Sequence, residues 1–280
     1  MSGDWSDWLG RSETRDDVIT DGALARFKAT LNMDAAAAIV PDGFHWCLGL
    51  PDTPTDKLGA DGHPPLGGFM PPLPFPRRMW AASDVEFLAP LKAGAQVSRT
   101  STITAIEPKS GKSGDMVFVT LAHETSSGET LHIRETQSIV YRDHPSAATP
   151  LPDVRDAPDL GDWDWQATIT PTALLLFRYS ALMFNTHRIH YDAAYATQEE
   201  LYPALVVHGP LTASLLLKLC ADNLGHNGLR RFSYRAKAPL FVDQPVHLCG
   251  RQSGNAVELC AFGGDGRVAV EGKAIKAVSD

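Results

Sequence analysis

The sequence has little cysteine, no long apolar run and no excess of basic residues, and each lack excludes a class of protein. No apolar stretch approaches the roughly 20 residues that a membrane-spanning helix needs, so we expect no membrane partner. The formal net charge of −8 argues against a nucleic-acid partner. Residues 1–17 are acidic and polar and lack the apolar core of a secretory signal, which predicts a cytoplasmic location.

The four cysteines form no C-x-x-C pair and are predicted to be reduced, mostly buried thiols rather than a disulfide framework. The length of 280 residues fits one large domain or two of medium size. An apolar share of 44% and a charged share of 21% are typical of a soluble globular protein.

Each half of the chain contains a predicted helix and a series of predicted strands. Residues 20–32 have apolar side chains at helical spacing behind a capping Thr20, and residues 209–224 have a similar apolar pattern. Residues 44–50 are apolar and predict a strand, whereas residues 170–180 fit either a helix or a strand. The other predicted strands are 78–87, 96–106, 116–125, 130–141, 232–239, 245–252, 256–263 and 267–278.

Two irregular segments interrupt this pattern. Residues 51–76 are rich in proline and glycine, which excludes regular structure and suggests a functional or interface loop; an ordered surface loop without chemistry is the alternative. Residues 143–164 are polar and proline-rich and predict a linker. We therefore expect an N-terminal domain over residues 1–150 and a C-terminal domain over residues 151–280.

A short pattern is repeated in the two halves. A-P-L-x-x-x-x-x-V occurs at residues 89–97 and again, without a gap, at residues 238–246. In each half it follows a predicted helix and precedes a run of predicted strands. The repeat suggests a duplicated domain whose copies pack together with a site between them, with chance similarity of two β-rich segments as the alternative.

The segment FRYSALMFNTHRIHYD, residues 177–192, concentrates polar chemistry behind an apolar run. It precedes the predicted helix at 209–224, which begins with His208, Gly209 and Pro210. Imidazole titrates near neutral pH, and a helix N-terminus presents unpaired N–H donors. A histidine loop leading into a helix start therefore predicts a catalytic site; the alternative is a set of structural core histidines.

Four stretches resemble a known family: ALMFNTHRIHYD at 181–192, LVVHGPL at 205–211, PPLGGFMPPLPFPRRMWA at 64–81 and IVYRDH at 139–144. They are similar to MaoC-type dehydratases that carry a fatty-acid-synthase-type dehydratase domain at the N-terminus. That group includes itaconyl-CoA and mesaconyl-C4-CoA (3-methylfumaryl-CoA) hydratases and the mitochondrial hydroxyacyl-thioester dehydratases of type 2. The resemblance implies an α+β, double hot-dog fold, in which two sheets each wrap a central helix and join into one.

The same resemblance implies the activity of a hydro-lyase that adds water reversibly to an α,β-unsaturated acyl-CoA, such as mesaconyl-C4-CoA or itaconyl-CoA. The CoA thioester is then the substrate, and no further cofactor is expected. A homodimer or higher homo-oligomer is expected from the family. A hot-dog acyl-CoA thioesterase and a non-catalytic acyl-CoA-binding module are the alternatives.

Three residues receive catalytic roles. His190 matches the histidine of the family motif G-D-x-N-P-x-H and is the predicted acid–base group. Asn185 occupies the position of the usual aspartate, so it can hold a water but cannot take its proton. The resemblance implies that the N–H of Gly209 stabilises the thioester oxygen, as expected of a helix N-terminus.

Six further residues are candidates for substrate binding. Arg178 and Arg188 could pair with a substrate carboxylate or form ordinary salt bridges. Arg77 and Arg78 could meet a CoA phosphate or remain solvated. Tyr191 and His208 flank the motif and the helix start, and His208 could equally be a cap or packing residue. The spacing of HRIH and Asp192 would suit a metal, but no further ligand set converges in the sequence, so no metal is expected.

Overall fold

The computed structural model describes residues 4–35, 39–111, 114–155 and 160–277, and its named strands form one antiparallel sheet of ten strands. The strands are β1 (Ser12–Val18), β2 (Arg77–Phe87), β3 (Gln96–Gly111), β4 (Gly114–Ser127), β5 (Thr130–Arg142), β6 (Trp165–Ile169), β7 (Leu229–Ala236), β8 (Val246–Ser253), β9 (Ala256–Gly263) and β10 (Val268–Lys276).

Helices cover one face of this sheet and the connections between strands. The α-helices are α1 (Asp21–Thr30), α2 (Ala173–Leu182), α3 (Ala193–Gln198) and α4 (Gly209–Leu224). Single 3₁₀ turns cover Ser6–Trp8, Phe44–Cys47, Thr55–Lys57 and Arg188–His190. No helix in the described part of the chain is long and apolar enough to cross a membrane.

The two halves of the chain share one strand topology. The order along the sheet is β1-β3-β4-β5-β2-β7-β10-β9-β8-β6. From its outer edge, each half therefore has its first, third, fourth, fifth and second strand in succession, as the sequence repeat predicts. β2 pairs with β7 from Ala82 opposite Arg235 to Glu86 opposite Arg231, and this pairing joins the halves into a continuous sheet.

Helix α4 forms the centre of the hydrophobic core. Its bounds agree with the prediction from the sequence, and Leu211, Ala213 and Leu216 are fully buried. A helix that is apolar on nearly every side is enclosed by its neighbours, and α4 is buried from Pro210 to Leu217 and reaches solvent only near its end, at Asp222 and Asn223. The same core extends into the first half through Phe27 of α1, whose first turn is capped by the side chain of Thr20.

The prediction of a strand at residues 44–50 is wrong. Residues Phe44–Cys47 form a 3₁₀ turn, and Phe44 and Trp46 are buried in the core. A short buried apolar run has no periodicity that separates helix from strand. Gly43 precedes the turn with a φ of 92°, a left-handed conformation that glycine adopts without strain.

No sequence pattern predicts strands β1 and β6. Both lie at the edges of the sheet, where strand pairing needs no apolar pattern. The sequence SETRDDV of β1 is polar, and its pairing with β3 is supported by a 2.9 Å hydrogen bond between the hydroxyls of Thr14 and Thr100. Of residues 170–180, those from Ala173 onward belong to helix α2, which begins after the capping Thr172.

The remaining predicted strands are present, with ends shifted by a few residues; residue 278, at the end of the last one, lies outside the described ranges. All four cysteines are free and buried, as predicted.

We predict that Leu216→Ala in α4 lowers the free energy of unfolding by about 2–5 kcal/mol, because Leu216 is fully buried and the truncation leaves a cavity. Leu9→Ala is the control. Leu9 is 51% exposed, so its truncation should change stability by no more than about 0.5 kcal/mol. Urea denaturation followed by fluorescence measures both variants. Equal effects would contradict the placement of α4 at the core.

Candidate active site

His190 lies at the end of the 3₁₀ turn that follows α2, and its ring is buried. Its Nδ1 is 2.7 Å from the carbonyl oxygen of Val206. Because a carbonyl oxygen only accepts, Nδ1 carries the hydrogen, and Nε2 of the neutral ring keeps a free lone pair. The backbone of Val206 in turn donates to the carbonyl of Ile189 at 3.0 Å, which fixes the two segments against each other. His190 is thus oriented as a base acting through Nε2.

His208 stacks on His190 just before the start of α4. The two ring centroids are 3.6 Å apart with an interplanar angle of 21°, and Nε2 of His208 is hydrogen-bonded to Oγ of Ser180 at 2.8 Å. Burial, and to a smaller extent nearby His187, lower the pKa of His190 to about 3 against the opposing effect of the bond to Val206. Burial likewise lowers the pKa of His208 well below its usual range. Both stacked rings are therefore neutral at pH 7.

Asn185 begins the motif loop after Phe184, which has a left-handed φ of 46°. The side-chain oxygen of Asn185 accepts a hydrogen bond from the backbone N–H of His187 at 3.0 Å. The backbone N–H of Asn185 donates to the carbonyl of Ser180 at 2.8 Å. With the oxygen occupied by the backbone, the amide NH₂ is the group left to meet a ligand. It can donate to a water oxygen, but it cannot remove a proton.

Gly209 is the first residue of α4, and Pro210 follows it in the first turn. The N-cap residue, His208, forms no side-chain bond to the helix start, whereas α1, α2 and α3 are each capped by a threonine or aspartate. The first N–H groups of α4 are consequently open to a ligand, and the helix dipole favours negative charge there. A Cβ built on Gly209 would be 3.6 Å from the carbonyl oxygen of Trp80 in β2, so the helix start lies at the junction of the two halves.

A buried network of charged side chains is hydrogen-bonded to the motif through His187. Nε2 of His187 donates to Oε1 of Glu200 at 2.8 Å, and Nε of Arg77 donates to Oε2 of Glu200 at 3.2 Å. The Arg77 guanidinium also lies over the ring of Tyr202, 4.3 Å from its centroid. All of the charged members are buried, so Arg77 compensates a carboxylate inside the protein. This corrects the substrate-binding assignment of Arg77, because a buried, paired guanidinium is not presented to a CoA phosphate.

No pattern in the sequence predicts that Glu200 is part of this site. A lone glutamate after a short helix has no local pattern that reveals burial, and its partners come from distant parts of the chain.

The proline-rich loop covers the motif. Thr186 donates its hydroxyl to the carbonyl of Gly62, the backbone N–H of Arg188 donates to the carbonyl of Asp61 at 2.9 Å, and Nη1 of Arg188 donates to the carbonyl of Ala60 at 3.1 Å. A Cβ at Gly62 would be only 1.8 Å from the carbonyl oxygen of Thr186. The loop therefore approaches the motif as closely as it does because residue 62 is glycine.

Within the described residues, one group of side chains is compact enough to suggest a metal: the ligand atoms of Asp61, His63 and His187 lie within 4.8 Å of one another. The donor set does not fit a divalent cation well. Nδ1 of His63 is already bonded to Oδ2 of Asp61 at 2.8 Å, and burial together with the positive charge of Arg78 lowers the pKa of His63 well below its usual range. The same positive charge would repel a cation, so we assign no metal role to these residues.

The remaining sequence candidates lie around this site rather than in it. Arg178 is exposed on α2. Arg188 pairs with Asp192 at 2.7 Å, and Asp192 also caps α3 through the N–H of Tyr195, so neither charge is free for His190. Tyr191 is partly exposed and donates its hydroxyl to a backbone carbonyl of the motif.

Arg78 is half-buried beside a pocket of about 590 Å³, whose walls include His63, Tyr141, His144 and Tyr195. Among the described residues, no carboxylate lies within 4.0 Å of its guanidinium. The pocket adjoins the site, because the ring centroid of His63 is 4.2 Å from that of His187.

Comparison with known proteins identifies relatives of this chain. The profile of the family described as hydroxyacyl-thioester dehydratase type 2 matches residues 43–242. The mesaconyl-C(4)-CoA hydratase of Chloroflexus aurantiacus is 43% identical over 274 residues, which cover 96% of each chain.

Solved structures share the fold at low identity. A MaoC-like dehydratase from Phytophthora capsici superposes with a TM-score of 0.73 at 14% identity, over 98% of this chain and 99% of that one. A Mycobacterium tuberculosis protein with a double hot-dog fold superposes with a TM-score of 0.58 at 12% identity, over 96% of each chain. The expected α+β, double hot-dog fold is thereby confirmed.

The buried histidines make stability depend on pH. The pKa of His190 is about 3 in the folded protein and near 6.5 in an unfolded chain, so between these values the unfolded chain binds a proton that the folded one does not. The free energy of unfolding should therefore fall as the pH is lowered from 7 to 5. We predict that His190→Gln reduces this fall by about 2 kcal/mol. Urea denaturation at the two pH values measures it.

His226→Gln provides the control for this measurement, because His226 is exposed. It should keep the pH dependence of the unmodified protein. An unchanged pH dependence in His190→Gln would contradict the burial of a neutral imidazole.

Proposed function

Because the chain belongs to the hydroxyacyl-thioester dehydratase type 2 family, we propose that it is a hydro-lyase that adds water reversibly to the double bond of an α,β-unsaturated acyl-CoA. The observation that supports this most directly is the orientation of His190. Its Nδ1–H is bound to Val206, which leaves Nε2 as a base, and its ring stacks on His208, the residue before the uncapped start of α4 at Gly209.

The proposed chemistry follows from the groups present. The amide of Asn185 donates to the oxygen of a water, and Nε2 of His190 takes a proton as that oxygen bonds to the β-carbon. The π electrons of the double bond move toward the thioester, and the negative oxygen is stabilised by the N–H of Gly209 and the positive end of the α4 dipole. A proton then bonds to the α-carbon, which completes the addition of H and OH.

We further propose a methyl-branched C5 dicarboxylyl-CoA as substrate, mesaconyl-C4-CoA or itaconyl-CoA. The relative named mesaconyl-C(4)-CoA hydratase supports this choice through its identity of 43% over nearly the whole chain. The mechanism uses no cofactor other than the CoA of the substrate itself.

Assembly and location are part of the same proposal. Leu174 and Phe177 project from α2 with 73% and 64% of their surface exposed, and Phe184 follows with 58%. Exposed apolar side chains on one helix support association into a homodimer or higher homo-oligomer. Light scattering tests this; a mass of one chain would contradict it. Four free, buried cysteines support a cytoplasmic location, which cell fractionation tests.

Screening mesaconyl-, itaconyl- and crotonyl-CoA tests the reaction. We predict loss of the absorbance of the conjugated enoyl thioester without release of free thiol.

His190→Ala should abolish turnover and leave the fold intact, since it removes the base. Asn185→Ala should lower the rate but leave substrate affinity unchanged, because the amide positions water rather than the acyl-CoA.

Other outcomes identify the rival functions. Release of free thiol would indicate a thioesterase. Binding of acyl-CoA without any turnover would indicate a binding module. Near-normal turnover by His190→Ala would contradict the assigned site.

Arg78 allows a separate test of how the substrate binds. We propose that its guanidinium meets a CoA phosphate at the pocket described above, because it has no carboxylate within 4.0 Å among the described residues. Arg78→Gln should raise KM for CoA thioesters by about tenfold, which corresponds to ~1.4 kcal/mol, and should leave KM for pantetheine thioesters unchanged. Steady-state kinetics with both thioesters measures it. Arg178→Gln, on exposed α2, is the control; an increase of KM for both thioesters in Arg78→Gln would contradict the phosphate contact.

A further inference from the structure

Hydration needs two proton transfers, one from the attacking water and one to the α-carbon, but the residues assigned so far provide one acid–base group. His190 takes the proton of the water, whereas Asn185 has no proton to exchange at neutral pH. Asp192, the nearest carboxylate in the motif, is bound to Arg188 and to the first turn of α3. The proton delivered to the α-carbon therefore comes either from His190, which returns the proton of the water, or from a second group.

We propose that His187, positioned by Glu200, is this second acid–base group and delivers the proton to the α-carbon. The inference rests on the proposed hydration and identifies a further catalytic residue, His187, and a positioning residue, Glu200, for that reaction.

The position of His187 supports the assignment. Its backbone N–H donates to the side-chain oxygen of Asn185 at 3.0 Å, and its ring meets that of His190 edge to face with 5.5 Å between centroids. It therefore lies in the same turn as both assigned residues, between them in sequence. Its ring is buried, so a proton on it is protected from exchange with bulk water while substrate is bound.

The bond to Glu200 determines which ring atom can act. Nε2 of His187 donates to Oε1 of Glu200 at 2.8 Å, so Nδ1 is the atom left for proton exchange. A buried carboxylate, 2% exposed, stabilises the protonated ring. Arg77 donates to the other oxygen of Glu200 at 3.2 Å, so the same carboxylate holds both side chains in place.

His187 is surrounded by titratable and charged groups, with which a charge on its ring would interact. The titratable and charged groups around it are Glu200, Arg77, His63, Asp61, His190 and His208. Burial lowers the pKa of each of the three neighbouring histidines, so they are neutral at pH 7. Both His187 and His63 have a carboxylate bonded to one ring nitrogen, and His187 is the one of the two that lies in the motif and meets the ring of His190.

The proton transfers balance as follows. Water loses one proton to Nε2 of His190 as its oxygen bonds to the β-carbon, and the π electrons of the double bond shift toward the thioester oxygen. The charged His187 then gives the proton on Nδ1 to the α-carbon, and the double bond of the thioester re-forms. The products are the β-hydroxyacyl thioester, a protonated His190 and a neutral His187. Transfer of one proton from His190 to His187 restores the starting state.

Glu200→Gln tests this proposal, because it keeps the shape of the side chain and removes its charge. We expect kcat to fall about 100-fold, within the range of a lost acid–base contribution, with KM changed less than threefold. The alkaline limb of the pH profile should move to lower pH, because the proton is held less firmly. Glu200→Asp, which keeps the charge, should restore part of the rate. His187→Gln keeps the Glu200–Arg77 pair and should remove the alkaline limb.

Glu135→Gln provides a matched control. Glu135 in β5 is 1% exposed, accepts from Trp46 and Ser83, and lies 3.7 Å from Nε2 of His45. It is thus a second buried carboxylate beside a histidine, outside the motif. Its neutralisation can lower stability, as can that of Glu200, but it should leave the pH profile of hydration unchanged. Thermal melting of every variant separates loss of fold from loss of rate.

The outcomes distinguish the inference from the function on which it rests. Hydration by the unmodified protein, with a shifted profile in Glu200→Gln and an unshifted one in Glu135→Gln, supports both. Hydration with an unchanged kcat and profile in folded Glu200→Gln and His187→Gln overturns the inference alone; His190 then returns the water's proton to the α-carbon by itself. Absence of hydration of every enoyl-CoA overturns both.

Discussion

The pairing of β2 with β7 is the constraint on which the site depends. It joins two halves of equal topology, and it brings the start of β2 beside residues of the second half. Arg77 thereby reaches Glu200, and the carbonyl of Trp80 comes within van der Waals distance of a Cβ at Gly209. A separate second half would keep the motif but leave Glu200 as a buried charge without its cation, which is destabilising. The two halves therefore need each other for electrostatic reasons as well as for their shared core.

Burial decides the chemical state of the histidines. His190 and His208 are enclosed and neutral, so the stacked pair adds no charge to the site before substrate binds. The tautomer of His190 depends on a backbone carbonyl, that of Val206, rather than on a carboxylate. The orientation of the His190 ring is therefore independent of pH over the neutral range. Charge is instead concentrated in Glu200 and Arg77, behind the motif, where it acts through His187.

The sequence predicts features that depend on neighbouring residues, but it does not predict contacts between distant parts of the chain. Helix α4 was predicted to the residue because its apolar pattern is long and its first turn begins with glycine and proline. The residues 44–50 were misassigned because a short buried run fits either periodicity, and β1 was missed because edge pairing needs no apolar pattern. In the site, the loop from Asn185 to His190 was identified by its density of polar residues. Glu200 and the pairing of Arg77 were not, since both depend on a contact across 123 residues of sequence.

The helices of the two halves differ in how their first turns are capped. In the first half, helix α1 follows β1 and is capped by Thr20, whose hydroxyl accepts from the N–H of Ala23 at 3.2 Å. In the second half, helix α2 follows β6 in the same way and is capped by Thr172. Helix α4 comes later in that half, and its cap residue, His208, forms no side-chain bond to the helix. A capping hydroxyl stabilises a helix by about 1 kcal/mol, so its absence weakens the start of α4. Because the rest of α4 is buried against the sheet, packing offsets that loss, and the helix that gives up its cap is the one most firmly enclosed by the core.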